Sequence, residues 1–160
     1  MTILGIDPGI ERTGWGILEA RNPPTLISYG LISTHKSLDH NKRLIEIYSD
    51  ISELIRQYHP DSMAIEKLYF STNVKTAFDV GESRGVILLA AAQANITVVS
   101  YSPLTVKHAV CGSGSADKMQ IQKMVKLTLC LPTIPKPDDV ADAIAIALTH
   151  AYSYKMKRDL

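Results

Sequence analysis

Four carboxylates stand where the neighbouring sequence is otherwise apolar. Asp7 ends the run ILGID, and Glu66 ends the run MAIE. Asp142 lies inside the apolar segment VADAIAIAL, and Asp139 precedes it by three residues, which places both on one face of a helix. A carboxylate in such surroundings is unfavourable unless it is paired or bound to a cation. These four acids are therefore the candidates for a functional site.

Carboxylates without a histidine or cysteine cluster are typical of a site for hard cations. Mg²⁺ and Mn²⁺ prefer oxygen ligands and keep water molecules, which leaves positions for substrate phosphate. Two such ions about 3.5 to 4 Å apart clamp a scissile phosphodiester, one generating hydroxide and the other stabilising the leaving oxygen. No Ser-His-Asp or Cys-His arrangement competes for this role, so the pattern predicts phosphodiester hydrolysis. The histidines show no paired ligand spacing and are interpreted as surface or packing residues: His35, His40, His59, His108 and His150.

Each acid taken alone also has a simpler explanation. An aspartate before Pro-Gly, such as Asp7, is a common turn residue. Asp138 and Asp139 fall in the first turn of a helix, where the helix dipole favours negative charge, whereas Asp142 lies beyond that turn. The co-occurrence of the four acids favours a site, because neighbouring strands would bring Asp7 and Glu66 together. The last helix would then lay its two acids against them.

The order of the predicted elements supports this arrangement. Three short strands separated by Gly, Pro and Asn indicate an antiparallel meander, and alternating helices and strands follow. The strands are predicted at residues 2–7, 13–19, 25–33, 62–66 and 96–100. Five helices are predicted. The first has apolar residues at helical spacing from Leu44 to Tyr58, and the second runs from about Val74 to Asn95. The third begins at Pro103, the fourth follows the loop at 112–118, and the fifth runs from Pro137 to about Lys155. We expect an α/β domain whose mixed five-stranded sheet has three antiparallel strands, then two parallel ones, with helices on both faces.

The composition is that of an ordinary globular chain. With 160 residues, 46% of them hydrophobic, the sequence predicts one domain spanning residues 1–160, with a basic tail from about 153. The longest apolar stretch is far shorter than the roughly 20 residues of a membrane span, and no signal peptide opens the chain, so we expect a soluble cytoplasmic protein. Cys111 and Cys130 are interpreted as reduced packing residues.

Several motifs carry a family resemblance along nearly the whole chain. They are GIDPG at 5–9, TGWG at 13–16, IE with an aromatic pair at 65–70, NVKTAFDVGESRG at 73–85, YSPLTVKHAVCGSGSADKMQIQKMV at 101–125 and DDVADAIAIALTH at 138–150. The chain resembles the RuvC family of Holliday junction resolvases, the crossover junction endodeoxyribonucleases, within the ribonuclease H-like superfamily. The DxG element alone is shared with actin-like ATPases, but the ordered set is highly specific.

The resemblance implies a ribonuclease H-like fold and a homodimer that makes paired symmetric nicks across four-way DNA junctions in recombination and repair. It implies dependence on Mg²⁺; from the carboxylates themselves we expect two ions per site, replaceable by Mn²⁺, and the apolar pattern predicts no membrane association. The implied metal ligands are Asp7, Glu66, Asp139 and Asp142. Asp139 is chosen over its neighbour Asp138 because its three-residue spacing to Asp142 matches the family. RuvA and RuvB, the branch-migration proteins, are implied partners.

Aromatic and basic side chains are the candidates for DNA contact. Tyr69 and Phe70 follow Glu66, where an exposed ring would stack on an unpaired base or wedge into the junction centre, although adjacent aromatics after a strand are also commonly buried. The family usually carries phenylalanine where this chain has Tyr69. Lys107 and Lys118 flank the GSGS loop, whose backbone amides can approach phosphates.

The helix from Val74 offers weaker candidates. Lys75 and Arg84 are assigned to the DNA backbone or to the dimer surface. The apolar composition of this helix suits an isologous dimer seam, although a buried core helix would look the same. Two other functions fit parts of the sequence. One is a silent junction-binding module, but such a protein has no need of four costly carboxylates. The other is a nucleotide-binding domain, which needs a second phosphate loop and a second domain.

Overall fold

The computed structural model describes the backbone of residues 1–68 and 74–158, and the side chains within 1–68 and 77–154. The strands are β1 (Thr2–Asp7), β2 (Arg12–Glu19), β3 (Thr25–Ser33), β4 (Ser62–Glu66) and β5 (Thr97–Tyr101). The helices are α1 (His40–Tyr58), α2 (Val74–Gln93), α3 (Pro103–Cys111), α4 (Lys118–Thr128) and α5 (Asp138–Arg158). Every predicted element is present, with ends that differ by a few residues. No helix within the described ranges is long and apolar enough to cross a membrane.

The five strands form one mixed sheet in the order β3-β2-β1-β4-β5. The pairs β1–β2 and β2–β3 are antiparallel, whereas β1–β4 and β4–β5 are parallel. The predicted sheet is therefore confirmed. Ile6 pairs with Ile65, so Asp7 and Glu66 follow side by side at the carboxyl ends of adjacent parallel strands.

Helices cover both faces of the sheet and enclose two apolar clusters. On one face α3, α4 and α5 pack over Ile3 and Ala64; on the other, α1 and α2 pack over Leu4 and Met63. Because side chains alternate along a strand, Asp7 and Glu66 fall on the same face as Ile3 and Ala64, which is the face that α5 covers.

Two glycines allow the backbone of α5 to lie in contact with the backbone of the sheet. A Cβ built on Gly5 would lie 2.3 Å from the carbonyl oxygen of Ala143, and one on Gly14 would lie 1.9 Å from that of Asp139. The first turns of α5 therefore rest directly on β1 and β2. This contact brings the acids of α5 to the edge of the sheet where Asp7 lies.

The start of α4 is fixed by a capping box. Asp117 accepts a hydrogen bond from the Gln120 backbone N–H at 2.8 Å, and the Gln120 side chain accepts one from the Asp117 N–H at 2.8 Å. Lys118 is therefore held at the first helical position, at the end of the predicted loop.

The two cysteines are free, as expected. Cys111 packs partly buried against the cluster under α5, but Cys130 is exposed. The interpretation of Cys130 as a packing residue is therefore wrong, because the turn that follows α4 presents it to solvent.

Candidate active site

Asp7 lies at the centre of the acidic cluster. Burial first, and then the negative charges of Glu66, Asp142 and Asp139 in that order, raise its pKa from 3.8 to about 8. The structure thus brings the other three predicted acids within electrostatic reach of Asp7. With a pKa of about 8, Asp7 holds its proton at neutral pH when no cation is bound, because burial and the neighbouring negative charges both disfavour its ionised form.

Glu66 and Asp142 share this environment. Burial raises the pKa of Glu66, and the charge of Asp142 adds to the effect. Burial also raises the pKa of Asp142, although the hydrogen bond from Lys118 opposes the shift. Three partly buried acids therefore repel one another at the ends of β1, β4 and the first turns of α5.

Asp139 has an oxygen that lacks a hydrogen bond. Its Oδ2 is buried and accepts none, although the Nε of the exposed Arg12 lies 3.3 Å away in a loose ion pair. A buried carboxylate oxygen without a donor is unfavourable and is the kind of atom that a cation satisfies.

Asp138 is directed elsewhere. It accepts a hydrogen bond from Gln122 Nε2 at 2.9 Å, and its other oxygen lies 3.5 Å from Lys118 Nζ. The hydrogen bond from Gln122, followed by the charge of Lys118, holds the pKa of Asp138 below its ordinary value. These contacts tie Asp138 to α4, and they support Asp139 as the residue that faces Asp7.

Lys118 is the cation that pairs with Asp142. Its Nζ lies 3.1 Å from Asp142 Oδ2. Burial lowers the pKa of Lys118, but the hydrogen bond and charge of Asp142 outweigh that effect and raise it. Together with Glu66, Asp142 and Lys107, this lysine lines an open cavity of about 210 Å³ whose apolar wall is formed by Pro103, Val106, Ile121 and Ile146.

Arg84 contacts the backbone of the site instead of its carboxylates. Its Nε donates to the Glu66 carbonyl oxygen at 3.2 Å, and its terminal nitrogen donates to Ser100 Oγ at 2.8 Å. These bonds fasten the end of β4 to β5 and α2, so Arg84 positions the backbone of Glu66. Sequence reasoning missed this role, as well as the ion pair of Arg12, because neither partner is close in sequence. DNA contact by Arg84 stays a prediction.

Three predicted DNA contacts lie wholly or partly beyond the described structure. Tyr69 and Phe70 lie outside the described residues. Lys75 belongs to α2, but its side chain lies outside the described part of the chain. Their roles therefore stay predictions.

The donor set of the cluster fits hard divalent cations. All four side chains offer oxygen atoms, burial and the neighbouring negative charges raise the pKa of Asp7, and Asp139 Oδ2 lacks a hydrogen bond. A divalent ion would neutralise the carboxylates and release the proton of Asp7. Asp7, Glu66, Asp139 and Asp142 are the residues that would hold it.

Without metal, the stability of the protein should fall as pH rises from about 4 to about 8. Across this range Asp7 is protonated in the folded state and ionised in the unfolded state, so the folded protein binds more protons and loses stability with rising pH. Asp7→Asn removes this penalty and should stabilise the EDTA-treated protein at pH 8 by about 2 kcal/mol. Chemical denaturation at pH 5 and pH 8 measures the difference. Asp50→Asn, an exposed acid on α1, serves as the control, and an equal pH dependence for the parent and Asp7→Asn would contradict the prediction.

Comparison with known proteins gives a consistent result. A family model described as "Crossover junction endodeoxyribonuclease RuvC" matches residues 3–150. The RuvC protein of Roseiflexus sp. strain RS-1 is 50% identical over 97% of this chain and 93% of its own length. That of Caldicellulosiruptor saccharolyticus is 52% identical over 96% of this chain and 93% of its own length.

Solved structures agree with the sequence relatives. Thermus thermophilus RuvC superposes with a TM-score of 0.91 at 33% identity, covering 98% of this chain and 97% of that one. A second structure, of T. thermophilus RuvC in complex with a Holliday junction substrate, gives 0.90 at 31% identity, covering 98% and 96%. The yeast mitochondrial resolvase Ydc2 shares the fold, with a TM-score of 0.68 at 12% identity over 98% of this chain and 83% of that one. The chain belongs to the RuvC family of crossover junction endodeoxyribonucleases, which have the ribonuclease H-like fold.

Proposed function

We propose that this protein is a Mg²⁺-dependent, structure-selective endonuclease that resolves four-way (Holliday) DNA junctions by paired symmetric nicks. Family membership supports the reaction class, and a similar protein is known in complex with a Holliday junction substrate. The observation that carries the proposal is the convergence of Asp7 with Glu66, Asp142 and Asp139. A protein that only bound junctions would gain nothing from burying these mutually repelling acids.

The four acids are proposed to hold two Mg²⁺ ions, with Mn²⁺ able to replace them. When bound, the ions supply a nucleophilic water at neutral pH and stabilise the charge on the leaving oxygen. Asp7 gives up its proton as the cations bind, so we expect metal affinity to rise with pH up to about 8. Arg84 holds the Glu66 backbone in place through its hydrogen bond to the carbonyl oxygen.

Lys118 and Lys107 are proposed to bind the phosphates next to the scissile bond. Both line the cavity that contains Glu66 and Asp142. Lys118 already pairs with Asp142 and is more than half exposed, so it can turn to a DNA phosphate once a cation neutralises that acid. An ammonium group at this place would position the DNA without reading its sequence.

Lys118→Ala is therefore expected to weaken junction binding. It should also reduce the slope of the logarithm of the binding constant against the logarithm of the salt concentration by about one. The measurement is fluorescence anisotropy with a labelled junction at several salt concentrations, with Ca²⁺ in place of Mg²⁺. Lys123→Ala, an exposed lysine on the same helix, is the matched control. An unchanged salt slope in Lys118→Ala would remove this residue from the DNA interface.

A homodimer across α2 is also proposed. Phe78, Gly85 and Ala92 recur every seven residues on the outer side of α2, and Phe78 is 68% exposed. Leu89, 51% exposed, lies on the same side, and a Cβ on Gly85 would meet nothing within 4 Å. The opposite side of the helix is buried through Ile87 and Ala91, so α2 belongs to the core and still presents an apolar stripe that a second copy would cover.

The function is tested by cleavage of an immobile four-way junction, with linear duplex of the same sequence as the control. Cleavage with Mg²⁺, none with EDTA and little on the duplex are the expected results. On a supercoiled cruciform plasmid, a dimer with two sites should give the linear product of paired nicks. Equal cleavage of duplex and junction would overturn the selectivity, and singly nicked product alone would overturn the paired action.

The proposed cellular setting follows from family membership alone. We infer a cytoplasmic location and action in DNA recombination and repair together with the branch-migration proteins RuvA and RuvB.

A further inference from the structure

Away from the acidic cluster, three metal-ligating side chains meet between α1 and α2. One donor atom each from His40, Asp79 and Glu82 lies within 4.8 Å of the other two. His40 is the first residue of α1, and the two acids lie one turn apart on α2. Among the described residues this is the one group of three histidine, cysteine or acidic side chains gathered so closely.

Among the described side chains, ion pairs do not balance the charges of this group. His40 Nε2 lies 2.5 Å from Glu82 Oε2, so the imidazole already contacts one of the two acids. Asp79 stands beside that pair as a second carboxylate, and like charges three residues apart on a helix repel each other. A divalent cation would balance both carboxylates and would bind His40 as a neutral imidazole.

Packing on either side of the group holds its two helices in place. Ile47 and Ile51 of α1 are fully buried in the same cluster as Ile87 of α2. Further along, the hydroxyl of Tyr48 donates to the side-chain oxygen of Gln93. The two helices are therefore fixed relative to each other before any ion binds, which lowers the entropic penalty of assembling ligands from both.

The neighbouring cation does not compete for these ligands. Arg43, one turn beyond His40, donates from its Nε to Thr34 Oγ1 at 2.8 Å. None of its nitrogen atoms lies within ion-pair distance of Asp79 or Glu82 among the described contacts. Among the described side chains, only His40 pairs with these carboxylates, and His40 and Glu82 are 37% and 50% exposed, so a ligand can reach the group.

We propose that His40, Asp79 and Glu82 bind one divalent transition-metal ion, such as Zn²⁺ or Co²⁺, with water completing its coordination. One imidazole and two carboxylates suit these borderline ions, whereas Mg²⁺ favours the all-oxygen cluster of the active site. The bound ion would join the start of α1 to α2. Because Arg84 lies on α2 and holds the Glu66 carbonyl, the ion would also stiffen the helix that supports the active site.

The test is isothermal titration calorimetry of the metal-free full chain with Zn²⁺ and with Co²⁺. It is done in an Asp7→Asn/Asp142→Asn background, which removes two of the four proposed active-site ligands. One ion per chain is expected, with affinity unaffected by millimolar Mg²⁺. Substituting a residue that only hydrogen-bonds to a metal ligand already weakens metal affinity about 10- to 100-fold. His40→Ala and Asp79→Asn, which remove ligands themselves, should therefore each weaken Zn²⁺ binding at least about tenfold.

His35→Ala is the matched control, because His35 is exposed and its Nδ1 contacts Ser37 Oγ instead of an acid. This variant should bind Zn²⁺ like the parent. Zn²⁺ should also raise the melting temperature of the parent and of His35→Ala, but not that of His40→Ala. Equal Zn²⁺ affinity in His40→Ala, Asp79→Asn and the parent would overturn the proposal, as would the absence of binding in a folded parent.

Discussion

Asp7→Asn is expected to lower the rate of junction cleavage by at least about a thousandfold while leaving junction binding within about twofold. Burial, and then the negative charges of Glu66, Asp142 and Asp139, raise the pKa of Asp7 to about 8, which places this acid at the centre of the cluster. The amide keeps the shape of the side chain but loses the charge that holds a cation. It removes no contact to phosphate, so binding should survive.

The measurement is single-turnover cleavage of a synthetic junction with Mg²⁺, accompanied by binding assays with Ca²⁺. Asp138→Asn is the matched control, because Asp138 faces Gln122 and Lys118 and should keep most of the activity. Asp139→Asn should behave like Asp7→Asn. Cleavage by Asp7→Asn at the parent rate would remove Asp7 from the catalytic cluster, and loss of activity in Asp138→Asn alone would reverse the choice between the two neighbouring acids.

Gly14→Ala should destabilise the protein by about 3 to 5 kcal/mol and abolish cleavage in whatever fraction folds. The added Cβ would lie 1.9 Å from the Asp139 carbonyl oxygen and 2.9 Å from the Val140 nitrogen. Both are backbone atoms of α5, so no side chain can rotate away. The helix would have to lift off the sheet, and it would carry Asp139 and Asp142 away from Asp7.

The matched control for this substitution is Gly81→Ala. Gly81 lies inside α2, and a Cβ added there would lie 3.7 Å from Leu68 Cδ1, which is an ordinary contact. Since alanine favours helix over glycine, this variant should gain about 0.5 to 1 kcal/mol. Urea denaturation measures both changes. A Gly14→Ala variant as stable and as active as the parent would show that α5 does not need the backbone contact.

Local sequence patterns were sufficient to predict the strands and helices of this protein and the positions of two of its four candidate acids. Alternation along a strand fixes which face each side chain meets, so the runs ending in Asp7 and Glu66 predicted two carboxylates side by side on one face. Ser102 before Pro103 predicted the start of α3, and the Ser102 side chain does accept from the Thr105 N–H at 3.0 Å. These features depend on a few neighbouring residues, so the sequence alone is sufficient to predict them.

Tertiary structure decided the features that depend on distant surfaces. The rotation of α5 separates Asp139 from Asp138, and it is set by the contact with Gly14, 125 residues earlier. Spacing along the chain could not reveal that Arg84 holds the Glu66 carbonyl or that His40 meets Asp79 and Glu82. Such contacts result from the way whole helices pack on the sheet, and this packing is a property of the assembled core.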